Sequence, residues 1–366
     1  MSKRDMNIQP ANTKRLLVVL PNWVGDVVLA VPALRAIREH YEDAHIAWLM
    51  RPYVREVIEP CNWCDEMLFW SQSKSKAGRQ HEFLKLASTL KKKQFEVAVL
   101  FSNAFRAALM ARLAKIPYRI GYTRDGRSML LTVKLMPDRI KGKYVPVSMV
   151  RYYGAIARYL GCKVDEERLE LPVRPDDRTA AEQLLAWHQI RPDTPFAVIN
   201  PGAAFGSAKC WPAERFAEVA NRLHKEANLR SFVVYGPGEQ DIASRIAQFG
   251  RPEAVVVPAQ MVSLGVLKGI LQRCRIVVTN DTGPRHMAKA FDKPVVTIFG
   301  STDPRWTETQ YAQERKVLVE VPCGPCMLKR CPLDHRCMHL VTADAVTAAA
   351  MDLLKQQSES RHGAMA

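Results

Sequence analysis

The length, composition and charge of the chain exclude several classes of protein. With 366 residues it is too long for one ordinary hydrophobic core, and its 48% hydrophobic and 25% charged residues are typical of a globular protein with two domains. No apolar run approaches the roughly 20 residues needed to span a bilayer. The polar start MSKRDMNIQPANTKR has no hydrophobic segment that would direct export, so we expect a cytoplasmic location.

In the first half of the chain, short apolar runs alternate with amphipathic segments. LLVVL at Leu16–Leu20 is typical of a buried strand, PNWVGD of a turn, and VVLAVPALRAIREHY of a helix. Further strands are predicted at HIAWLM, from His45, and FEVAVLF, from Phe95. Strands that alternate with helices predict a parallel, doubly wound sheet.

The same pattern begins again after a segment rich in proline and acid, LELPVRPDDRTAAEQLLAWHQIRPDTP, which has the composition of a linker. Strand, glycine turn and helix then recur in FAVINPGAAFGSAKCWPAERFAEVANRL, in SFVVYGPGEQDIASRIAQ and in IVVTNDTGPRHMAKAF, and PVVTIFGSTDP completes the series. The sequence therefore predicts two α/β domains, at residues 14–175 and 190–350, with a ligand between them.

The formal net charge of +16 is concentrated in one part of the chain. From Lys74 to Arg151 there are 18 Lys or Arg residues against 4 Asp or Glu, an excess of 14 positive charges. One interpretation is a solvated basic face. The other is a first domain that faces phosphate, on nucleic acid, an anionic membrane surface or a phosphorylated acceptor.

Two glycine turns of the second domain carry residues suited to a nucleotide. NPGAAFGSAKCWP contains Gly202 and Gly206, which allow close backbone approach, and Lys209, whose point charge suits a phosphate. In YGPGEQD, Glu239 could accept hydrogen bonds from a ribose or a base. Each turn alone is also explained as a tight connection between strand and helix. Neither a GxGxxG dinucleotide fingerprint nor a P-loop occurs.

A third turn, NDTGPRH, places Thr282, Gly283 and the following amides where they could cradle a phosphate at a helix start. Three such turns at one edge of a sheet favour a binding site for an anionic donor over three unrelated connections between strands and helices. In the first domain, Asp26 follows the first strand in VGD. It is interpreted either as a helix cap or as a general base that projects into the cleft between the domains.

These segments together resemble a known family. Gly25-Asp26, NPGAAFGSAKCWP, NDTGPRHMA, IFGSTDPRWT and CGPCMLKRCPLDHRCM are similar to motifs of the ADP-heptose:lipopolysaccharide heptosyltransferases. The resemblance runs from about Leu16 to Ala350, and the cysteine-rich tail favours the type II enzymes. It implies a GT-B glycosyltransferase with two Rossmann-like doubly wound domains facing across a cleft, the acceptor on the first and the nucleotide sugar on the second.

The resemblance also implies a reaction, in which L-glycero-D-manno-heptose moves from ADP-heptose to a heptose of the lipopolysaccharide inner core with inversion. Asp26 matches the proposed general base and Lys209 the phosphate-binding lysine. The donor-binding motif is matched by Asp281, Thr282, Gly283 and His286. Glu239 corresponds to an acid that contacts the nucleoside, and no cofactor or divalent metal is expected.

One residue departs from the family pattern, because Arg285 stands where Met or another apolar residue is usual. Its guanidinium could reach the diphosphate or face solvent. The implied acceptor is a phosphorylated inner core on an anionic inner-membrane surface, a partner suited to the basic segment. The candidates for acceptor contacts are Arg119, Arg124 and Arg127, in YRIGYTRDGR.

The cysteines allow more than one interpretation. Cys323, Cys326, Cys331 and Cys337, with His335 among them, have spacings compatible with a structural zinc site, or they are reduced thiols that pack a small lobe without metal. The pair in CNWC, Cys61 and Cys64, is interpreted as two buried thiols rather than a redox pair.

Other functions are compatible with parts of the sequence. They are a transferase of the same family with another nucleotide sugar, an ADP-sugar sensor without activity, and a basic nucleic-acid-binding α/β protein. The last lacks interleaved aromatic residues for base stacking and leaves the turns of the second domain unexplained. We therefore expect a glycosyltransferase with no nucleic-acid partner.

Overall fold

The computed structural model of the protein describes residues 13–71, 75–164 and 167–363, with side chains through residue 359. Lys74, where the predicted basic segment begins, and the first twelve residues of the polar start lie outside the described residues. Contacts divide the chain into two compact units. The first comprises the described residues up to Arg168 with Arg305–Thr309, and the second comprises Leu169–Pro304 and the described residues from Gln310 onward.

The first unit is built on a parallel sheet of six short strands. These are β1 (Arg15–Val19), β2 (His45–Met50), β3 (Glu66–Phe69), β4 (Val97–Leu100), β5 (Tyr118–Tyr122) and β6 (Val133–Leu135). Their order in the sheet is β3-β2-β1-β4-β5-β6. The order reverses between β1 and β4, the position where open α/β sheets bind ligands. A separate antiparallel pair, β7 (Arg139–Ile140) and β8 (Lys143–Tyr144), follows β6.

Helices cover this sheet, because each strand contributes apolar side chains to its faces. They are α1 (Val24–His40), α2 (Arg55–Ile58), α3 (Lys76–Lys92), α4 (Phe105–Leu113) and α5 (Met149–Tyr159). Leu17 and Val19 of β1 share one core with Phe83 and Leu90 of α3 and with residues of α4. α1 packs against α5 and continues through Pro32.

The second unit repeats this arrangement. Its strands are β9 (Phe196–Asn200), β10 (Arg230–Val233), β11 (Val255–Val256), β12 (Ile276–Asn280), β13 (Val295–Ile298) and β14 (Glu314–Val317). All pairings are parallel, in the order β11-β10-β9-β12-β13-β14. The prediction of two doubly wound sheets is confirmed. The order of this sheet reverses between β9 and β12, and two of the three predicted turns leave these two strands.

The helices of the second unit are α6 (Pro175–Trp187), α7 (Ala213–Ala227), α8 (Gln240–Phe249), α9 (Leu264–Arg273), α10 (Gly283–Ala290), α11 (Arg336–His339) and α12 (Ala343–Gly363). α12 packs on α7 over a core that includes Phe216 and Val346. Within the described ranges, none of the helices combines the length and the apolar character that crossing a membrane requires.

The boundary between the units differs from the predicted ranges of 14–175 and 190–350. The segment interpreted as a linker forms α6, which packs against α9 and belongs to the second unit from Leu169 onward. Two glycines of α9 permit this contact, because a Cβ at Gly269 would lie 2.7 Å from the Cβ of Ala181. The part of α12 that extends beyond residue 350 also belongs to the second unit. Tertiary contacts, rather than the local proline and acid content, therefore set the boundary.

Candidate functional site

The three glycine turns of the second unit meet at the carboxyl edge of its sheet. The amide of Asn200, at the end of β9, donates 2.9 Å hydrogen bonds to the hydroxyls of Thr279 and Thr282. The amide of Asn280, at the end of β12, donates to the carbonyl oxygen of Pro201 at 2.6 Å. These bonds join the first and third turns across the switch point. Neither asparagine was predicted as a site residue, although both occupy the last position of a strand.

Lys209 extends from the first turn to the third. Its amine donates to the carboxylate Oδ2 and to the carbonyl oxygen of Asp281, both at 2.8 Å. The turn that carries it is tight, because a Cβ at Gly206 would overlap the backbone carbonyl of Lys329. The structure therefore brings together two residues predicted to bind the donor and pairs them with each other.

Asp281 is nearly fully buried and is surrounded by donors. Oδ2 also accepts from the hydroxyl of Thr302 at 2.9 Å, and Oδ1 accepts from the guanidinium of Arg285 at 2.9 Å. Burial alone would raise the pKa of Asp281, but the charges of Lys209 and Arg285 hold it below its usual range. Asp281 is therefore an ionised carboxylate that holds Lys209 in place.

Arg285 does not face solvent, so that expectation is wrong; contact of its guanidinium with a diphosphate, the other expectation, stays a prediction. The side chain is fully buried, and its guanidinium donates to Glu314 through Nε at 2.6 Å and through Nη2 at 3.1 Å. The group also lies over the ring of Phe299, with 4.9 Å to the centroid. The reason is that the position one turn after Asp281 on α10 points into the unit, where Glu314 supplies the counter-charge.

Glu314 is the centre of this buried cluster and was not predicted. Its carboxylate also accepts from Lys289 at 2.7 Å and from the hydroxyl of Thr297 at 2.6 Å. Burial alone would raise the pKa of Glu314, but the charges of Arg285 and Lys289 hold it well below its usual range. Burial and the Arg285 charge lower the pKa of Lys289 to about 7. The spacing of four between Arg285 and Lys289 was a visible sign that these two side chains share one face of α10, and Asp281 lies four residues before Arg285.

Gly202 and Glu239 join the first and second turns. A Cβ at Gly202 would overlap the Glu239 carboxylate, so a larger residue there would require this side chain to move. Glu239 precedes α8 and accepts from the backbone N–H of Gly236 at 2.7 Å. Burial and the Glu239 charge raise the pKa of Cys210 to about 11. The close approach predicted for a ligand at Gly202 is thus made by a side chain of the same site.

The third turn starts helix α10 at Gly283, with Thr282 in an extended conformation before it. The first amides of a helix have no partner within the helix, which makes this end suited to an anion. His286 lies in the first turn of α10, as predicted, and is 2% exposed. Its Nδ1 has no hydrogen-bond partner within the part of the chain that the structure describes. Burial and the charges of Arg285 and Lys289 lower its pKa well below the usual value, so the ring is neutral at pH 7.

In the first unit, Asp26 lies at the carboxyl edge of the sheet, next to the switch point. Helix α1 begins at Val24 with Trp23 as its cap residue, so the interpretation of Asp26 as a cap is wrong. Asp26 is the third residue of the helix and is half-buried. The pKa of Tyr153, a buried residue of α5, is raised mainly by burial and next by the negative charge of Asp26.

The three arginines proposed for the acceptor are not equivalent. Arg127 is fully buried and donates to the carbonyl oxygens of Tyr122, at 3.0 Å, and of Ser102. Arg119 donates to the carbonyl oxygens of Leu130, at 2.7 Å, and of Pro117, at 3.0 Å. Their guanidiniums are thus used to hold backbone.

Arg124 is half-buried, and its guanidinium lies over the rings of Tyr144, at 4.2 Å, and Trp306, at 5.8 Å. It is held by ring faces rather than by backbone carbonyls. Of the three arginines, it is the one whose contacts best suit an anionic acceptor.

The four cysteines of the C-terminal segment line one small cavity of about 20 Å³, together with His335. The ring Nε2 of His335 lies 2.9 Å from the carbonyl oxygen of Ala208, in the turn that carries Lys209. Within residues 13–71, 75–164 and 167–363, however, no three His, Cys, Asp or Glu side chains are arranged to hold a metal ion. A structural zinc site was one of two interpretations of these cysteines, and no such arrangement occurs among the described residues. The lobe is shaped by backbone contacts such as the one between Gly206 and Lys329.

Cys61 and Cys64 are half-buried rather than buried, in contrast to the expectation for them. Hydrogen bonding to Cys61, followed by burial, raises the pKa of the Cys64 thiol far above its usual value. Because a reactive cysteine needs the thiolate form, this environment does not favour redox chemistry.

Comparison with known proteins agrees with this geometry. Residues 83–336 match the family described as glycosyltransferase family 9 (heptosyltransferase). The chain is 28% identical over 349 residues to lipooligosaccharide heptosyltransferase 2 of Campylobacter jejuni, covering 93% of this chain and 98% of the relative.

Two solved structures show the same fold. ADP-heptose lps heptosyltransferase II of Escherichia coli is 23% identical with a TM-score of 0.76, covering 94% of this chain and 99% of the other. E. coli heptosyltransferase WaaC, solved with ADP-2-deoxy-2-fluoro heptose, is 20% identical with a TM-score of 0.67, covering 92% and 99%. The predicted GT-B class, with two Rossmann-like units, is confirmed.

Proposed function

Since the chain belongs to glycosyltransferase family 9, the heptosyltransferase family, it is a glycosyltransferase, and we propose that it moves L-glycero-D-manno-heptose from ADP-heptose to a heptose of the lipopolysaccharide inner core. The names of its relatives support this donor and this acceptor class. The observation that carries the proposal is the position of Lys209, held by Asp281 beside the start of α10.

That position suits the leaving group. When the bond between the anomeric carbon and the phosphate oxygen breaks, negative charge develops on the departing ADP. The Lys209 amine and the first amides of α10 stabilise this charge, and they are set in place before the reaction. Because Asp281 shares its charge between Lys209 and Arg285, the lysine is oriented and still able to contact phosphate.

We assign Asp26 as the general base. It takes the proton from the attacking acceptor hydroxyl, whose oxygen bonds to the anomeric carbon on the face opposite the departing phosphate, so the configuration inverts. Asp26 lies in the first turn of α1, where the positive end of the helix dipole interacts favourably with a carboxylate.

The other residues of the site position the donor. Glu239, seated over Gly202, is placed to accept hydrogen bonds from a ribose. Thr282 and Gly283 line the diphosphate, and His286 supports the turn as a neutral ring. For the acceptor we retain Arg124 as the contact residue, with Arg119 and Arg127 shaping the loop around it. We further propose that the protein works in the cytoplasm, peripheral to an anionic inner membrane that carries the acceptor.

The test is incubation of the full chain with ADP-heptose and defined inner-core acceptors, read by mass spectrometry. The expected result is a gain of one heptose on one acceptor. UDP- and GDP-linked sugars are run in parallel, because transfer from one of these instead would replace the proposed donor. Absence of transfer from every donor would refute the proposal.

Two variants test the roles of the residues. Asp26→Asn is expected to abolish transfer while the affinity for ADP stays within twofold of wild type, and normal turnover would remove Asp26 from the mechanism. Lys209→Ala is expected to weaken ADP binding by about 10- to 100-fold, the range of a charged hydrogen bond. The matched control is Lys225→Ala, on the last turn of α7, which should bind ADP normally.

A further inference from the structure

A small hairpin follows the edge strand β6 of the first unit. Arg139 pairs with Tyr144 and Ile140 with Lys143, and the connecting residues Lys141 and Gly142 have φ values of 49° and 78°. Two consecutive residues with positive φ form the turn that matches the twist of a tight β-hairpin. The backbone N–H of Val145 donates to the Asp138 carbonyl oxygen at 3.0 Å and closes its base. The basic hairpin, residues 138–145, is therefore a defined structure rather than an irregular loop.

Its two faces differ. Cross-strand partners share a face, so Arg139 and Tyr144 lie on one face and Ile140 and Lys143 on the other. The Tyr144 ring is covered by the guanidinium of Arg124, at 4.2 Å, which turns that face toward the body of the unit. The opposite face, with Ile140, is directed outward, and Ile140 is 66% exposed.

The segment around the hairpin combines apolar and basic side chains. From Lys134 to Tyr144 there are four basic residues and one acid, and the basic ones, Lys134, Arg139, Lys141 and Lys143, are all exposed. Met136 is 74% exposed, and its sulfur lies 3.2 Å from the hydroxyl of Thr123, next to Arg124. Large exposed apolar side chains among cations characterise segments that lie in a membrane interface.

The position of the hairpin fits such a contact. It follows the carboxyl end of β6, and Asp26 follows the carboxyl end of β1 in the same parallel sheet. Both therefore lie at one edge of the sheet. A bilayer that contacted the hairpin would present a lipid-anchored acceptor on the side of the proposed base.

We propose that the basic hairpin docks the protein on a bilayer surface rich in acidic phospholipids. Ile140 and Met136 enter the headgroup region, and Lys134, Lys141 and Lys143 contact the headgroup phosphates. The inference rests on the proposed function, because it names the surface through which the enzyme reaches its acceptor.

The test is sedimentation of the full chain with vesicles of phosphatidylglycerol and phosphatidylcholine, compared with pure phosphatidylcholine, at low salt. Wild type is expected to bind the acidic vesicles at least tenfold more tightly. Lys141→Glu with Lys143→Glu should lower that affinity at least tenfold, since each charge near an anionic surface contributes about fivefold. Ile140→Ser should lower it several-fold.

Matched controls distinguish the effect of the hairpin on vesicle binding from the effects of charge and of exposed apolar area elsewhere on the protein. Lys91→Glu with Lys92→Glu reverses two exposed charges on α3, and Trp187→Ser removes an 83% exposed side chain on α6. Both should bind within twofold of wild type. Equal losses in the α3 variant, or no preference of wild type for acidic vesicles, would overturn the proposal.

Transfer to a lipid-free, deacylated acceptor distinguishes this inference from the proposed function. Ile140→Ser should keep its transfer rate on that acceptor while losing vesicle binding. Hairpin-dependent vesicle binding without any heptose transfer would refute the function and leave the docking surface standing. Transfer by a wild type that does not bind vesicles would refute the docking surface. Loss of transfer on the soluble acceptor in Ile140→Ser would also refute it, because the hairpin would then hold the sugar.

Discussion

Replacement of Glu314 by Gln is the sharpest perturbation of the buried charge cluster. The change keeps the shape of the side chain and removes the negative charge that pairs with Arg285 and Lys289. Three cationic side chains, including Lys209, would then share one carboxylate, that of Asp281. Both Arg285 and Lys289 are at most 2% exposed, so water cannot replace the lost counter-charge.

The expected cost follows from this charge count. Removing one partner of a buried ion pair typically costs about 3–5 kcal/mol, because an uncompensated charge stays buried. Lys289, with its pKa lowered to about 7, can lose its proton and limit the cost to the lower end of that range. We therefore expect Glu314→Gln to destabilise the second unit by about 3 kcal/mol.

Arg285→Met provides a comparison at the same site. It removes one cation, so Asp281 keeps Lys209 and Glu314 keeps Lys289, with one counter-charge for each carboxylate. The loss is then limited to charge-assisted hydrogen bonds, offset in part because the guanidinium is no longer buried, or about 1–2 kcal/mol. The prediction is thus an order: Glu314→Gln is more damaging than Arg285→Met.

The assay is the thermal unfolding transition of the full chain by scanning calorimetry without ligand. For a unit of this size, 1 kcal/mol corresponds to roughly 2–4 °C. We expect a fall of about 6–12 °C for Glu314→Gln and about 2–8 °C for Arg285→Met. Arg315→Met, beside Glu314 on β14 but in an exposed pair with Asp352, is the control and should change the midpoint by less than about 4 °C. Equal shifts for the two cluster variants, or the reverse order, would refute the charge count.

Three further predictions concern other parts of the molecule. Between pH 7 and 10 the unfolded chain holds a proton on Lys289 that the folded chain releases. Raising the pH therefore increases the free energy of unfolding by up to about 1.4 kcal/mol per pH unit. Denaturant midpoints should show this slope in wild type but not in Lys289→Met. Gly202→Ala should displace the Glu239 carboxylate and weaken ADP binding about tenfold, as measured by titration calorimetry, while the melting temperature stays nearly unchanged. An unaltered affinity for ADP would contradict the contact between Gly202 and Glu239. Arg127→Met leaves buried carbonyls unpaired and should cost about 3 kcal/mol of thermal stability, whereas Arg124→Met should instead lower kcat/KM for the acceptor.

The sequence alone determined the fold class and named the residues that we propose for the donor site. Short apolar runs followed by glycine turns are local signals, and the strand in IVVTN followed by Gly283 at a helix start could be read without any distant contact. Lys209 was singled out as a charge suited to phosphate within the first glycine turn, and Asp281 through the resemblance to the family's donor-binding motif. The parallel order of the strands then requires such turns to meet at one edge of the sheet.

Tertiary structure decided which charges pair. The pairing of Arg285 could not be predicted from sequence, because its partner, Glu314, lies 29 residues away on β14, next to β13 rather than β12 in the sheet. Gly202 was expected to allow close backbone approach, and the side chain that lies against it, Glu239, comes from the next turn. Local periodicity specifies which face of an element is buried. The counter-charge that a buried group meets there depends on the order of the strands, and only the assembled sheet fixes that order.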